Sequence, residues 1–158
     1  YWDEYWQTMP REKLNEIHFR KIQKMIKFAY ENTDFYRRLY DQAGLRPEDV
    51  RTWDDFYQKV PFTDKPDYMK DQERRGGFQT RPYAAQALGM EHVLHSLQTS
   101  GTTGVPMREV YTRYDESFAD VWCSGWWDMG VRPGDSFYFC FTFGPWIASG
   151  RPIGPAGA

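Results

Sequence analysis

The segment that most constrains the fold lies near the middle of the chain and consists almost entirely of hydroxyl-bearing residues and glycine: Thr99-Ser100-Gly101-Thr102-Thr103-Gly104-Val105-Pro106. Glycine, threonine and proline at this density are typical of a turn or loop. The hydrophobic pattern changes shortly before this segment, near residue 90, from helical spacing to strand-like runs.

Helical patterning predominates in the first 90 residues. Apolar residues recur at three- and four-residue spacing over Arg11–Glu31, which predicts one long helix that begins after Pro10. Thr33 is expected to cap a second helix over Asp34–Ala43, and Gly44 to close it. Two shorter helices are predicted further along, one opened by a sequence resembling a capping box, Thr52-Trp53-Asp54-Asp55, and reaching about Lys59, the other starting at Thr63-Asp64-Lys65-Pro66.

Strand-like patterns flank the Gly/Thr segment itself. His92–Gln98 and Met107–Tyr111 are compatible with strands, although apolar runs this short are ambiguous. A helix is then expected to begin near Thr112 and Asp115, because apolar residues follow at helical spacing as far as Gly130.

The last apolar run favours a particular kind of sheet. Arg132-Pro133-Gly134-Asp135 is typical of a turn, and Phe137–Phe143 is apolar enough to be a strand buried on both faces, as in parallel sheets. We therefore predict an α/β fold. A helical region at 1–90 would be followed, at 91–158, by the start of a largely parallel sheet flanked by helices, as part of one incomplete domain.

Charge and cysteine content narrow the class of protein. The net charge of −2 does not favour a phosphate-tracking nucleic-acid surface, and the one short basic cluster, Arg74-Arg75, is interpreted as a solvated loop. No apolar run has the length needed to cross a bilayer. Cys123 and Cys140 are too few for a disulfide scaffold, and we interpret both as buried thiols in a reducing cytoplasm. The sequence is compatible with an oligomer.

The composition of the Gly/Thr segment suits a phosphate ligand. Glycines let backbone N–H groups approach a ligand closely, hydroxyls add donors, and a concave run of N–H groups binds anions. An ordinary hairpin loop explains the same composition equally well. The segment lacks the Gly-Lys-Ser/Thr of a Walker A motif, and its glycine spacing does not match a dinucleotide fingerprint.

The segment resembles the Ser/Thr-Ser-Gly-Thr-Thr-Gly-x-Pro signature of AMP-forming adenylating enzymes. The resemblance extends over most of the chain and is closest to the phenylacetate–CoA ligases. The elements that carry it outside the loop are Phe35-Tyr36-Arg37-Arg38, Ala43-Gly44-Leu45, Pro61-Phe62-Thr63-Asp64-Lys65, Tyr111-Thr112, Asp115, Gly130 and Gly134-Asp135. Two positions depart from the family pattern: Val105 stands where a lysine is usual, and Leu97 where the phenylacetate enzymes often have histidine.

The resemblance implies an AMP-forming carboxylate–CoA ligase that uses ATP, Mg2+ and CoA to activate a small carboxylic acid, with aromatic acids among the candidates. It implies that the phosphates are held by Thr99, Ser100, Gly101, Thr102, Thr103 and Gly104. It leaves the catalytic residues unassigned and supplies no protein metal ligands. The chain is expected to be an incomplete N-terminal part of such an enzyme, inactive alone. Another adenylate-forming enzyme and a non-catalytic α/β interaction module are the alternatives.

Two weaker site hypotheses come from residues outside the loop. Phe141, Phe143 and Trp146 could line an acyl pocket, but core packing is the favoured interpretation of these aromatic side chains. His92 and His95 alternate along the expected strand, yet the sequence offers no third ligand for a metal ion there.

Overall fold

Six helices and a β-hairpin form the described part of the protein. The computed structural model describes residues 1–75, 90–101, 104–112, 119–136, 138 and 140. The elements in chain order are α1 (Glu4–Gln7), α2 (Arg11–Asn32), α3 (Asp34–Gln42), α4 (Trp53–Lys59), α5 (Lys65–Arg74), β1 (Val93–Gln98), β2 (Arg108–Thr112) and α6 (Ala119–Asp128), with single 3-10 turns at Pro47–Asp49 and Met90–His92.

Local capping explains where most of the helices begin. The Thr33 hydroxyl accepts a hydrogen bond from the Tyr36 N–H at 3.2 Å, as expected for the cap of α3. At α4 the Thr52 hydroxyl accepts from the Asp55 N–H, while the Asp55 carboxylate accepts from the Thr52 N–H, so the capping box is confirmed. Hydrogen bonds from Lys59 and then Thr52 hold the pKa of Asp55 well below its usual range. The predicted helices α2 to α5 are all present, whereas α1 was not predicted.

An apolar cluster joins α2, α3 and the segment that follows them. Ile26, Tyr40, Leu45 and Val50 are each no more than 5% exposed and form its centre. The side-chain amide of Gln23 on α2 donates to the Val50 carbonyl at 3.0 Å, which fixes the turn before α4. The partly buried residues that pack around this centre are Phe19, Ile22, Tyr30, Tyr36, Leu39, Phe56 and Val60.

Helix α5 packs against α3 through polar contacts. The Tyr68 and Tyr36 hydroxyls are 2.9 Å apart. The Asp71 carboxylate, only 2% exposed, accepts from Arg38 at 2.9 Å and from Arg75 at 2.8 Å. Burial raises the pKa of the Tyr40 phenol, and the nearby Tyr68 adds to the rise.

The expectation that Arg74-Arg75 is a solvated loop is wrong. Arg74 is the last residue of α5. Arg75 caps the helix through its backbone N–H, and its guanidinium pairs with Asp71 and, at 3.5 Å, with Asp34. Burying a carboxylate requires paired cations, so this arginine is a structural counter-ion. The cluster therefore tells nothing about a nucleic-acid surface.

The described strands form an antiparallel pair. Ser96 lies opposite Val110 and Gln98 opposite Arg108, with an irregularity between Val93 and His95. The two strands match the predicted pair to within one residue. His92 precedes β1 in a 3-10 turn, and β2 runs from Arg108 to Thr112 instead of from Met107 to Tyr111. The predicted α/β fold class stands, but the parallel pairing within it is not confirmed.

The segment expected to supply a parallel strand is mostly outside the described residues. Within Phe137–Phe143, Tyr138 and Cys140 are described, and neither lies in a strand. Cys140 is exposed and Cys123 half-buried, so the interpretation of both as buried thiols is wrong. Two isolated residues do not test whether Phe137–Phe143 forms a strand buried on both faces, so that strand stays a prediction.

Helix α6 and the turn after it follow the prediction in part. Thr112 is the last residue of β2, and residues 113–118, where the helix was expected to begin, lie outside the described part. The Asp135 N–H donates to the Arg132 carbonyl at 3.0 Å and Gly134 has φ +94°, which confirms the turn. Among the described residues, no helix combines the length and apolar character of a membrane span.

Candidate phosphate-binding loop

The Gly/Thr segment forms the tip of the hairpin between β1 and β2. Thr99 extends the ladder past the end of β1, because its N–H donates to the Met107 carbonyl at 2.9 Å. The Met107 N–H in turn donates to the Thr99 hydroxyl oxygen at 3.0 Å. Thr99 therefore closes the base of the loop with both its backbone and its side chain, and its hydroxyl hydrogen is left to donate elsewhere.

A tight turn lies inside the loop and requires glycine at its first position. The Gly104 N–H donates to the Gly101 carbonyl at 2.9 Å. Gly101 has φ +67°, and a Cβ atom there would come within 2.7 Å of Pro106 Cγ and 2.9 Å of the Gly104 carbonyl oxygen. Gly101 is thus required both by its left-handed backbone and by the close approach of Pro106.

The loop offers neutral donors rather than charge. Ser100 is exposed, while the Gly104 N–H is engaged in the turn. Thr102 and Thr103 were predicted as phosphate-binding residues and lie outside the described part. Val105, which replaces the family's usual lysine, is 58% exposed. A phosphate held here would be stabilised by main-chain and hydroxyl donors, the set expected of an anion-binding nest.

A buried glutamine from the helical region holds the returning arm of the loop. Gln72 on α5 is 1% exposed, and its side-chain amide donates to the Pro106 carbonyl at 2.9 Å. The Arg108 N–H donates to the Gln72 side-chain oxygen, also at 2.9 Å. Sequence reasoning missed this residue. The available signal was its position four residues after Tyr68, which places it on the helix face that Tyr68 buries.

The weaker site hypotheses gain little from the structure. Phe141, Phe143 and Trp146 lie outside the described residues, so the acyl-pocket hypothesis stays a prediction. His95 is exposed on β1 and His92 is half-buried in the turn before it. In the described ranges no group of three or more His, Cys, Asp or Glu residues could hold a metal ion.

Comparisons with known proteins identify relatives of one kind. No family model matches the chain. A phenylacetate-coenzyme A ligase of Thermus thermophilus is 33% identical over 139 residues, which cover 87% of this chain and 29% of that protein. A phenylacetate-coenzyme A ligase of Escherichia coli K12 is 30% identical over 139 residues, which cover 87% and 30% of the two chains. The chain thus spans under a third of the length of these relatives.

The solved structures that share the fold of this chain are also those of a CoA ligase. The open conformation of 2-hydroxyisobutyryl-CoA ligase, solved with 2-HIB-AMP and CoA, superposes with a TM-score of 0.84 at 26% identity. That match covers 95% of this chain and 34% of the other. The same ligase in its thioesterification state gives a TM-score of 0.84 at 28% identity over 95% of this chain and 31% of the other. The helices and hairpin described above therefore have the fold of part of an adenylate-forming ligase.

Proposed function

We propose that this chain, a relative of the phenylacetate–coenzyme A ligases of the adenylate-forming superfamily, is part of an AMP-forming carboxylate–CoA ligase. The observation that carries the proposal is the sequence relationship over 87% of the chain. The glycine-closed loop at the hairpin tip gives that relationship a chemical meaning, because an adenylate-forming enzyme must hold a triphosphate.

In the proposed reaction the substrate carboxylate attacks the α-phosphorus of ATP. An acyl adenylate forms, and the bond to the leaving pyrophosphate breaks. The thiol of CoA then attacks the acyl carbon and displaces AMP, which gives the thioester. The first step develops charge on the leaving pyrophosphate, whereas the second step takes place after pyrophosphate has left. A loop that binds pyrophosphate should therefore act mainly on the first step.

The loop would serve the first step by preorganised donors. The exposed Ser100 and the main chain at Gly101 would face the phosphates, with Thr102 and Thr103 supplying further hydroxyls and Thr99 and Gly104 holding the loop in shape. Donors fixed in advance stabilise a developing charge without reorganisation at the moment of reaction. Magnesium, when bound on the phosphate oxygens, would neutralise part of their charge.

The class of acid is a separate part of the proposal. The sequence relatives are named for phenylacetate, while the structural neighbour is named for a hydroxylated alkyl acid. We infer a small carboxylic acid and test both classes. We also infer a cytoplasmic location, which the free thiols of Cys123 and Cys140 support, because disulfides are rare in that compartment.

The proposal is tested by following pyrophosphate and AMP release from the complete protein with ATP, CoA and an acid panel that includes phenylacetate and 2-hydroxyisobutyrate. Acid-dependent pyrophosphate release is expected. The double variant Thr102→Val/Thr103→Val should slow adenylation by roughly 10²-fold or more, as is typical when a preorganised donor is removed.

Thioester formation from supplied acyl adenylate is the internal control, and it should change little in the double variant. Thr8→Val is the matched control, because it removes a hydroxyl that donates to the Glu4 carbonyl at the end of α1 and not in the loop. Equal losses in both half-reactions would count against a phosphate-binding role for the loop. The absence of acid-dependent pyrophosphate release in the wild type would rule out the ligase activity itself.

A further inference from the structure

The contacts of Gln72 have the form of a β-ladder made by a side chain. Pro106 and Arg108 direct their carbonyl and N–H toward the edge of β2 that faces away from β1, since Met107 between them pairs with Thr99. The carboxamide of Gln72 donates to the first and accepts from the second, both at 2.9 Å. It therefore occupies the place of a peptide unit from a neighbouring strand.

These two hydrogen bonds act on the part of the loop that determines its shape. Pro106 is the residue against which Gly101 packs so closely that no Cβ would fit between them. A shift of the Pro106 peptide would therefore displace the Gly101–Gly104 turn as well. The amide of Gln72 fixes this peptide directly, because its two bonds bracket Met107.

Helix α5 is itself firmly placed, so Gln72 has a rigid support. The neighbouring residue Asp71 is paired with Arg38 of α3 and with Arg75. Tyr68, one turn earlier, contacts both Tyr36 and Thr63 through its hydroxyl. Asp71 thus binds α3, while the next residue of the same helix, Gln72, binds the base of the loop.

We propose that Gln72 is a positioning residue for the phosphate-binding loop, acting on ATP use through its paired hydrogen bonds to Pro106 and Arg108. This inference rests on the proposed function. It predicts that ATP binding and adenylation depend on both bonds, while thioester formation from acyl adenylate does not.

The variant Gln72→Glu separates a positioning role from a packing role by its pH dependence. A neutral glutamic acid has one O–H donor and one free acceptor, so it can replace both bonds of the glutamine. An ionised carboxylate can accept from Arg108 but repels the Pro106 carbonyl. Burial raises the pKa of a carboxylic acid above its ordinary value of about 4.3, so the neutral form should persist toward neutral pH and be lost as the pH rises.

The measurement is the ATP Michaelis constant of the complete protein between pH 5.5 and 8.5, as compared with wild type at each pH. For Gln72→Glu we expect a ratio to wild type that is near one at the acid end and rises to about tenfold or more at the alkaline end, the scale of one buried polar group left unmatched. Gln72→Met should show a comparable increase that does not change with pH, because neither bond can form.

Gln23→Glu is the matched control. Gln23 also donates its side-chain amide to a backbone carbonyl, that of Val50, but within the helical region. Its variant should lower thermal stability without changing the ATP Michaelis constant. Hydrogen exchange at the Arg108 amide supplies a readout independent of activity: it should accelerate in Gln72→Met and stay unchanged in Gln23→Met.

The outcomes separate the two hypotheses. A wild type without ATP-dependent acid activation would overturn the proposed function. An active wild type in which Gln72→Glu is as insensitive to pH as Gln23→Glu, or in which Gln72→Met slows both half-reactions equally, would overturn the positioning role. Unchanged exchange at Arg108 in Gln72→Met would show that the hydrogen bond itself does not hold the loop.

Discussion

The helical region and the hairpin are stabilised by different kinds of contact. In the helical region, Ile26, Leu45 and Val50 bury apolar side chains against one another around Tyr40. In the hairpin, β2 buries the polar Glu109 and Thr112 as well as the apolar Val110 and Tyr111, and the amide of Gln72 holds the loop base. Apolar contacts are non-directional and depend on volume, whereas hydrogen bonds depend on geometry. The first region should therefore respond to lost volume and the second to small displacements.

The largest effect is expected from lost volume in the helical region. Leu45 is 3% exposed, so Leu45→Ala should lower the free energy of unfolding by about 2–5 kcal/mol. Leu94→Ala is the matched control, since Leu94 is 49% exposed on β1 and should cost less than about 0.5 kcal/mol. Denaturant unfolding of both variants measures the difference. Similar losses would mean that the apolar cluster does not stabilise the helical region more than the hairpin surface does.

A single added methyl group should have the next largest effect, at the loop. Gly101→Ala forces a Cβ into contact with Pro106 and the Gly104 carbonyl at φ +67°. The backbone cost alone is about 1–2 kcal/mol, so ATP binding should weaken by about tenfold. Gly125→Ala is the control, because Gly125 lies in α6 with open space around it. That change should stabilise by about 0.5–1 kcal/mol. If Gly101→Ala bound ATP as wild type does, the loop would not need its close turn.

A charge added to the loop should act more weakly. Val105→Lys restores the cation usual in the family and should lower the ATP Michaelis constant. Because the position is exposed, the added charge should contribute only about 0–1 kcal/mol to ATP binding, or at most about fivefold. The effect should be greater at low salt than at high salt, because exposed charges are screened. Val121→Lys on α6 is the control, since Val121 is 60% exposed and Val105 58%. Equal effects of both variants would indicate a general response to net charge.

The smallest effect is expected at the cap of α4. The lowered pKa of Asp55 means that its carboxylate stabilises the helix at pH above the ordinary Asp value of about 4 and that this contribution disappears as the pH falls through the lowered value. Asp55→Asn should therefore lower the thermal midpoint slightly at neutral pH and approach wild type in acid. Asp54→Asn serves as the neighbouring control. A deficit that grew toward acid pH would contradict this sign, and altered ATP binding would show that the cap affects the loop.

Sequence patterns predicted the helical region well because its signals are local. The side chains of Thr33, Thr52 and Asp55 cap helices within three residues of themselves, so short sequence windows contain the whole interaction. Helix α1 escaped prediction because four residues give no periodicity to detect.

The sequence predicted that the loop is a turn, but it could not predict the contacts that determine the shape of that turn. Gln72 contacts residues 34 and 36 positions further along the chain, and no local pattern encodes such a contact. The close approach of Gly101 and Pro106 likewise depends on the closed backbone rather than on spacing. The boundary near residue 90 and the phosphate-binding role of the loop residues stay predictions.

The single residue between α2 and α3 limits what the helical region can tolerate in evolution. Thr33 ends one helix by donating its hydroxyl to the Ala29 carbonyl and begins the next by accepting from Tyr36. No spare linker residue separates the two helices, so an insertion or deletion at this point would rotate one helix by about 100° relative to the other. Homologues should therefore vary here in residue type but keep the same number of residues, and length variation should be found in other connections.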